Sequence, residues 1–369
     1  MAAPDKRPRL PFRYLDPTFF AGQFDDPVLY VKIRPTGRGL LFDCGKLHHV
    51  AKRVLKSIDA VFVSHAHMDH FMGFEALTRS MHVTPKTVDL YGPPGITAKV
   101  EHKLLGYDWN LTEEWWGNWR IHEVDTVQRQ VTLFPGPAGF VPETSEQLKQ
   151  VVGLLWQNSY LKVSAALFDH KIPVLGFRIE ERPGFRVDPQ RIAACQLLPG
   201  RWLEELNRRW AQGLLEGDIR VDTVSGESKE VDGNKLYEDI RLRCSPPSIG
   251  YLTDVGFDEA NLQQAIALFS GVDLLICECS FLAADVGQAR RSCHLCSDDL
   301  NRLLERLRPG YVLPMHLSKN YLNQGARLYE ELEPPAGTTL LRLPDYVSSR
   351  PLLPRELPFR FAHHRCADA

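Results

Sequence analysis

Three histidines and an aspartate fall within six positions in the stretch "AVFVSHAHMDHFMG" (60–73), at the end of a short apolar run. In an extended segment alternate side chains share a face, so His65 and His67 can meet one metal ion together. Asp69 and His70 are adjacent, on the turn into the next helical stretch, where they can point to a second ion. The pattern H-x-H-x-D-H thus builds halves of two neighbouring sites. The competing reading is a histidine-rich turn without a ligand, but metal binding is the usual reason for so dense a cluster. Two half sites need further ligands, and these should also stand at strand ends if sheet edges converge on one crevice. His170 closes "VSAALFDH", Asp254 closes "GYLTD" and His316 closes "YVLPMH". Taken singly, each reads as a hydrogen-bonded structural residue. Their shared placement after the same kind of apolar run makes them candidates.

The elements that must position these residues are short β-branched or aromatic runs ending at turn signals. They are 29–35, 39–45, 58–64, 87–95, 162–170, 175–181, 248–256, 272–280 and 310–316, several patterned for burial on both faces. Helical stretches with apolar residues at three and four spacing lie at 258–271 and 297–310, the latter with Ser297 as its expected N-cap. Strands alternating with helices imply a layered α/β architecture. Residues 182–246 are more charged and richer in turns, with one short helical piece, and read as an insertion on a single core domain. A C-terminal tail at 345–369 reads as a surface strap or frayed end.

The chain of 369 residues is 44% hydrophobic, which suits one large domain or two modest ones. A formal charge of -2 gives no global basic field, so nucleic acid must be held by local patches. The start carries prolines and acids and lacks the apolar stretch of a signal peptide, and no segment approaches the ~18 apolar residues of a membrane span. These features lead to the expectation of a soluble, cytoplasmic protein with no membrane association. Its eight cysteines are expected to be reduced, including Cys293 and Cys296 of the C-x-x-C spacing. The tryptophans of "WNLTEEWWGNW" (109–119) offer a stacking surface for bases, although packing is the commoner role.

The ordered set "LLFDCG" (40–45), "SHAHMDH" (64–70), "LYGPPG" (90–95), "FDHKIPVLGFRI" (168–179), "YLTDVG" (251–256), "LICECSF" (275–281), "SCHLCSDD" (292–299) and "LPMHLSKNY" (313–321) resembles the metallo-β-lactamase fold hydrolases, and among them the ribonuclease Z branch. The resemblance implies an α/β fold, the four-layer αββα metallo-β-lactamase sandwich, with the metals at one edge. It implies two divalent metal ions, zinc first, with manganese or iron as alternatives. His65, His67 and His170 would hold one ion, Asp69, His70 and His316 the other, and Asp254 would bridge them. Asp69 belongs to the catalytic set, and Glu278 and His294 match the family's proton-delivering pair. The alternative for Glu278 is an orienting partner of a nearby arginine.

The resemblance also implies an endonuclease acting at the 3′ side of precursor transfer RNA, and a homodimer. In the insertion, Arg201, Arg208 and Arg209 are the candidate substrate-binding residues, with Glu204 and Glu205 among them. The chain departs from the family where Cys277-Glu278-Cys279-Ser280 replaces His-Glu-Ala-Thr, where Asn320 replaces an arginine, and where the Gly-Pro-rich arm is reduced to a Pro-Gly turn. A hydrolase of a small phosphodiester or ester is therefore the alternative. A dimetal redox protein is a more distant one, because the flavin domain and carboxylate replacement of such fold-mates are not seen.

Overall fold

The computed structural model describes residues 10–149, 153–182, 184–243 and 245–347. Most of the expected C-terminal strap, with Cys366, and also Cys244, lie outside the described residues. The chain divides into two compact units, Met1–Glu180 with Ser248–Ala369, and Glu181–Pro247.

The larger unit contains two sheets. The first runs in chain order: β1 (Leu15–Phe19), β2 (Leu29–Ile33), β3 (Gly39–Phe42), β4 (Ile58–Phe62), β5 (Thr87–Gly92), β6 (Asn118–Val124), β7 (Gln128–Phe134) and β8 (Glu146–Lys149). Its centre, β3 to β6, is parallel. The second begins with β9 (Leu154–Gln157), β10 (Leu161–Asp169) and β11 (Pro173–Glu181). After the smaller unit, which carries the hairpin β12 (Asp218–Asp222) and β13 (Ser228–Asp232), it continues with β14 (Ser248–Leu252), β15 (Leu274–Glu278), β16 (Tyr311–Met315) and β17 (Thr339–Leu340). Its spatial order is β17-β16-β15-β14-β11-β10-β9.

The period of two along each strand sorts side chains between layers. Leu40, Phe42, Ala60 and Phe62 of the first sheet meet Phe177, Ile249, Tyr251, Leu274 and Ile276 of the second in a shared core. The alternate residues Leu41, Val61 and Val63 face outward onto Leu55, Phe74, Leu77, Val100 and Leu104 of helices. On the far side Leu275 and Val312 pack against Phe269, Leu300, Leu304 and Leu328. Helix, sheet, sheet and helix are the four layers of the αββα sandwich. Strands covered on both faces are predominantly apolar, and "SIGYL" and "LLICE" are buried at every position, the terminal Glu278 included.

The helix Ser297–Leu307 buries Leu300, Leu303, Leu304 and Leu307, the spacing read from sequence. Its N-cap is Cys296 and not Ser297, because the Asp299 carboxylate accepts from Cys296 N at 3.0 Å and closes a capping box one residue earlier. The smaller unit is more ordered than one short helical piece. It has helices Pro189–Ala194, Trp202–Gln212 and Gly233–Ile240, and a core that includes Ile192, Trp202, Leu206, Ile219, Val221 and Leu236. Among the described residues no helix is long and apolar enough to cross a membrane.

Candidate metal centre

The site is assembled from residues at or just past the C-terminal ends of β4, β10, β14, β15 and β16. The extended segment after β4 carries His65, and His67 stands at the N-cap of the short helix Met68–Phe71, putting Asp69 and His70 on its first turn. This helix is clamped to the loop after β3: Cys44 N donates to His70 O at 2.9 Å and Gly73 N to Cys44 O at 2.7 Å. The approach leaves no room for side chains. A Cβ on Gly45 would lie 2.4 Å from Asp69 O, and one on Gly73 2.4 Å from Gly45 O. His316 takes a left-handed conformation one residue past β16, with φ of 62°.

All seven sequence-derived candidates meet. Coordinating atoms of His65, His67, His170 and Asp254 lie within 4.8 Å of one another, as do those of Asp69, His70 and His316. Asp254 stands between the groups. Its Oδ2 is 3.6 Å from His65 Nε2, 3.7 Å from His170 Nε2 and 3.4 Å from His70 Nε2, and its Oδ1 is 3.5 Å from His316 Nδ1. His316 Nε2 is 3.0 Å from Asp69 Oδ2. His70 Nε2 is buried without a hydrogen-bond partner. Such a nitrogen costs about 1–3 kcal/mol if left unsatisfied.

Asp43, buried after β3, explains how that ring is aimed. Its carboxylate accepts from Ser64 N (2.7 Å), Ser64 Oγ (2.9 Å), Tyr251 Oη (2.9 Å) and His70 Nδ1 (3.0 Å). Holding Nδ1 turns Nε2 toward the centre. In the same way His170 Nδ1 donates to the Cys293 carbonyl at 2.6 Å, leaving Nε2 facing Asp254. Sequence reasoning missed Asp43 and Tyr251 as site residues. The available signal was an aspartate directly after the apolar run "GLLF".

Electrostatics divides the cluster. Burial, helped by the neighbouring His70, pushes the His65 imidazolium from its usual 6.5 down to about 2, so this ring is neutral and offers a lone pair. Burial acts the same way on His67. For His70 burial also opposes charge, but the Asp254 and Asp43 carboxylates outweigh it and hold the ring well above its ordinary range. Burial opposes the charge of Asp254 as well, yet His316, His70 and His294 keep its carboxyl far below the usual values. A proton on His70 and a cation beside it are alternatives for one lone pair.

Glu278, the last residue of β15, is fully buried and accepts from Val255 N at 2.8 Å and Ser280 Oγ at 2.7 Å. It stands 3.1 Å from His294 Nδ1. No arginine pairs with it among the described residues, in contrast to the orienting alternative. A carboxylate only accepts, so Nδ1 carries the hydrogen and Nε2 is left for the cleft that His294 lines. Burial lowers the His294 imidazolium, but the charge and hydrogen bond of Glu278 override this and raise it to about 9. The adjoining cleft, about 330 Å³, is also lined by Asp69, Phe281, His316 and Lys319. Ser280 Oγ, while donating to Glu278, lies 3.2 Å from His316 Nδ1 and can accept from it, so one hydroxyl ties the proton-handling pair to a ligand loop. In the sequence this residue is marked only by its departure from a family motif.

Residues 38–187 match the beta-lactamase superfamily domain. A ribonuclease Z of Deinococcus radiodurans is 30% identical over 292 residues, which cover 78% of this chain and 85% of that protein. The chain belongs to the ribonuclease Z family. A ribonuclease Z of Prochlorococcus marinus (strain MIT 9301) is 25% identical over 310 residues, 81% of this chain and 84% of its own length. A crystal structure of a long form RNase Z from yeast shares the fold, with a TM-score of 0.50 and 11% identity over 90% of this chain and 41% of that one. As a ribonuclease Z-family member the protein is a metal-dependent hydrolase of the endoribonuclease type. The fold implies a dinuclear metal centre, and the donor set fits one: six nitrogen or carboxylate donors surround a shared carboxylate, and the orphaned His70 Nε2 is aimed into the cluster.

The three arginines of the smaller unit differ among themselves. On the helix Trp202–Gln212, Arg209 is tied to Glu205 at 2.6 Å, whereas Arg208 is largely exposed and 3.8 Å from the same carboxylate. Arg201, at the N-cap, is exposed. In the larger unit Trp119 is buried, while Trp109 and Trp116 are partly buried against the helix-covered core and Trp115 is exposed. Cys44, Cys195, Cys277, Cys279, Cys293 and Cys296 are free thiols.

Proposed function

We propose that this protein cleaves precursor transfer RNA at its 3′ side, using two divalent ions, zinc first among those that histidine and carboxylate donors accept. His65, His67 and His170 hold one ion, Asp69, His70 and His316 the other, and Asp254 is shared. When bound, such a pair neutralises phosphate charge, orients in-line attack and lowers the pKa of water to roughly 7. The chain's own residues supply the rest. Asp43 fixes the His70 ring, Glu278 keeps His294 Nδ1 protonated, and His294 delivers a proton to the departing oxygen. Arg201 and Arg208, with Arg209 more restrained by Glu205, contact phosphates of the RNA body.

The observation that carries this reading is the gathering of six donors around Asp254 in a chain of the ribonuclease Z family. A second reading, hydrolysis of a small phosphodiester, is favoured by the cleft itself, where Lys319 is the one lysine or arginine among the lining residues. Purified, metal-loaded protein should be offered precursor transfer RNA and a nitrophenyl diester. RNA cleavage, with affinity falling steeply as salt rises, supports the first reading. Good diester hydrolysis without RNA binding at low salt sinks it and leaves the second.

A further inference from the structure

With Lys319 the one lysine or arginine that lines the metal cleft, an enzyme that holds a long RNA must find its phosphate contacts elsewhere on the surface. The crossover between β3 and β4 offers them. Residues 44–58, "CGKLHHVAKRVLKSI", contain Lys46, Lys52, Arg53 and Lys56 and no aspartate or glutamate. Among the described residues none of these four side chains makes an ion pair or hydrogen bond. The acids that flank the stretch are both engaged. Asp43 holds Ser64, His70 and Tyr251, and Asp59 accepts from Arg38 Nε at 2.9 Å with Lys86 Nζ 4.0 Å away.

Folding does not explain these charges. Leu47, Val50 and Leu55 join Phe74 and Leu77 in the outward-facing core of the first sheet and pin the segment there, leaving Lys52, Arg53 and Lys56 exposed. In the helix Lys52–Ser57 only Lys56, in the last turn, complements the helix dipole. Lys52 and Arg53 stand in the first turn, where positive charge is unfavourable and no acid offsets it. Lys52 and Lys56, four residues apart on one face, also repel each other. Charges kept against local stability point to a partner that neutralises them.

Topology aligns the strip with the metal centre. β3 and β4 are parallel, so the connection must carry the chain from the end of the sheet that bears the donor cluster back to the other end. It leaves at Gly45, against the Asp69 carbonyl, and arrives where Lys86 Nζ donates to the Lys56 carbonyl at 3.0 Å. Lys46 therefore stands beside the metal-binding helix, and Lys52, Arg53 and Lys56 follow over the length of the five-residue β4, about 17 Å. We propose that this strip is a track for the sugar-phosphate backbone of RNA, leading the body of the substrate away from the metal centre. The inference rests on the RNA-cleaving reading and adds contacts on the larger unit to those of Arg201 and Arg208. No exposed large apolar side chain lies within 44–58, so the strip lacks what an anionic bilayer would bury and fits a polyanion in water.

The test is equilibrium binding of the full-length, metal-loaded protein to a transfer RNA without a 3′ trailer, which offers nothing to cut, over a range of salt. Wild type is compared with Lys52→Ala/Lys56→Ala and with Lys52→Arg/Lys56→Arg. A third variant, Arg302→Ala/Arg306→Ala, makes an equal charge change on the helix Ser297–Leu307, where both arginines are exposed. Metal content and thermal midpoint are measured alongside. Losing two phosphate contacts in the first alanine pair should lower the slope of log affinity against log salt by about 1.4–1.8 and weaken binding about tenfold or more. With precursor transfer RNA as substrate the loss should fall on KM and not on kcat. The Lys→Arg pair and the Arg302/Arg306 pair should keep the wild-type slope. If wild type binds the RNA and Lys52→Ala/Lys56→Ala matches it in slope and affinity, the strip is overturned while the RNA-cleaving reading stands. The strip is equally overturned if the Lys→Arg pair loses as much as the alanine pair, an effect of packing, or if Arg302→Ala/Arg306→Ala does, an effect of net charge. It also falls if the alanine pair weakens capture by phosphatidylserine vesicles and leaves RNA binding intact, which would make this a membrane-facing surface. Failure of wild type to bind the RNA at low salt removes the RNA-cleaving reading itself, and this inference with it.

Discussion

Replacing Glu278 by glutamine tests the proton-delivery assignment most directly. The carboxylate is fully buried and takes hydrogen bonds from Val255 N, Ser280 Oγ and His294 Nδ1. Glutamine keeps the shape, removes the charge and turns one acceptor into a donor among donors. Raising the His294 imidazolium from 6.5 to about 9 corresponds to about 3 kcal/mol at 1.36 kcal/mol per pH unit, an upper figure because cations at Asp254 oppose it. With a neutral amide in place of the Glu278 carboxylate the burial that disfavours charge remains, so His294 should fall toward or below its ordinary value and be deprotonated at neutral pH. If His294 is the acid, its protonated form is the active one. Activity is then full below its pKa and lost as pH rises through it, and in Glu278→Gln that loss moves to lower pH. Cleavage of RNA, whose leaving oxygen needs a proton, should slow by about 10²–10⁴ at neutral pH. A nitrophenyl diester should be far less affected. The assay is kcat/KM against pH on both substrates, with metal content measured alongside. Equal slowing on both substrates with both metals retained, or a basic limb that does not move, would refute the assignment.

Asp254→Ala should lose more metal than His316→Ala, because Asp254 faces both donor groups, and elemental analysis of the two purified variants decides it. Metal uptake by metal-free protein should release protons, since carboxylates hold His70 and His316 in their charged form above the ordinary histidine range. Affinity should therefore fall as pH is lowered, and calorimetry in buffers of different ionisation enthalpy counts the protons. Asp43→Ala strands the Ser64, His70 and Tyr251 donors and should cost about 3–5 kcal/mol in denaturant unfolding, with weakened metal binding; an unchanged midpoint would remove Asp43 from the account. On RNA, Arg208→Ala should reduce the slope of affinity against salt by about 0.7–0.9 if it meets one phosphate, and Arg209→Ala by less, because Glu205 already neutralises it.

The metal-site candidates and nine of the strands were legible in the chain because both signals are local. Coordinating residues at strand ends follow apolar runs, and β4, β14, β15 and β16 are predominantly apolar, Asp59, Ser248 and Glu278 apart, because helices cover one face and the other sheet covers the second. The edge-side strands β6 and β7 escaped notice because "NWRIHEV" and "QRQVTLF" interleave charge with apolar residues, and only pairing with their neighbours makes strands of them. The helical start at Cys296 likewise depends on a carboxylate three residues away, held by Arg290 at 2.6 Å. The order of donors along the chain left open how each ring is aimed. That was decided by contacts between residues far apart in sequence: Asp43 with Tyr251 across 208 positions, His170 with the Cys293 carbonyl across 123, and Asp69 with His316 across 247. Residue types determine which atoms can bind a cation or move a proton. Which lone pair is left free, and which carboxylate holds His294 charged, depends on burial and hydrogen-bond partners that exist only once the two sheets close on each other.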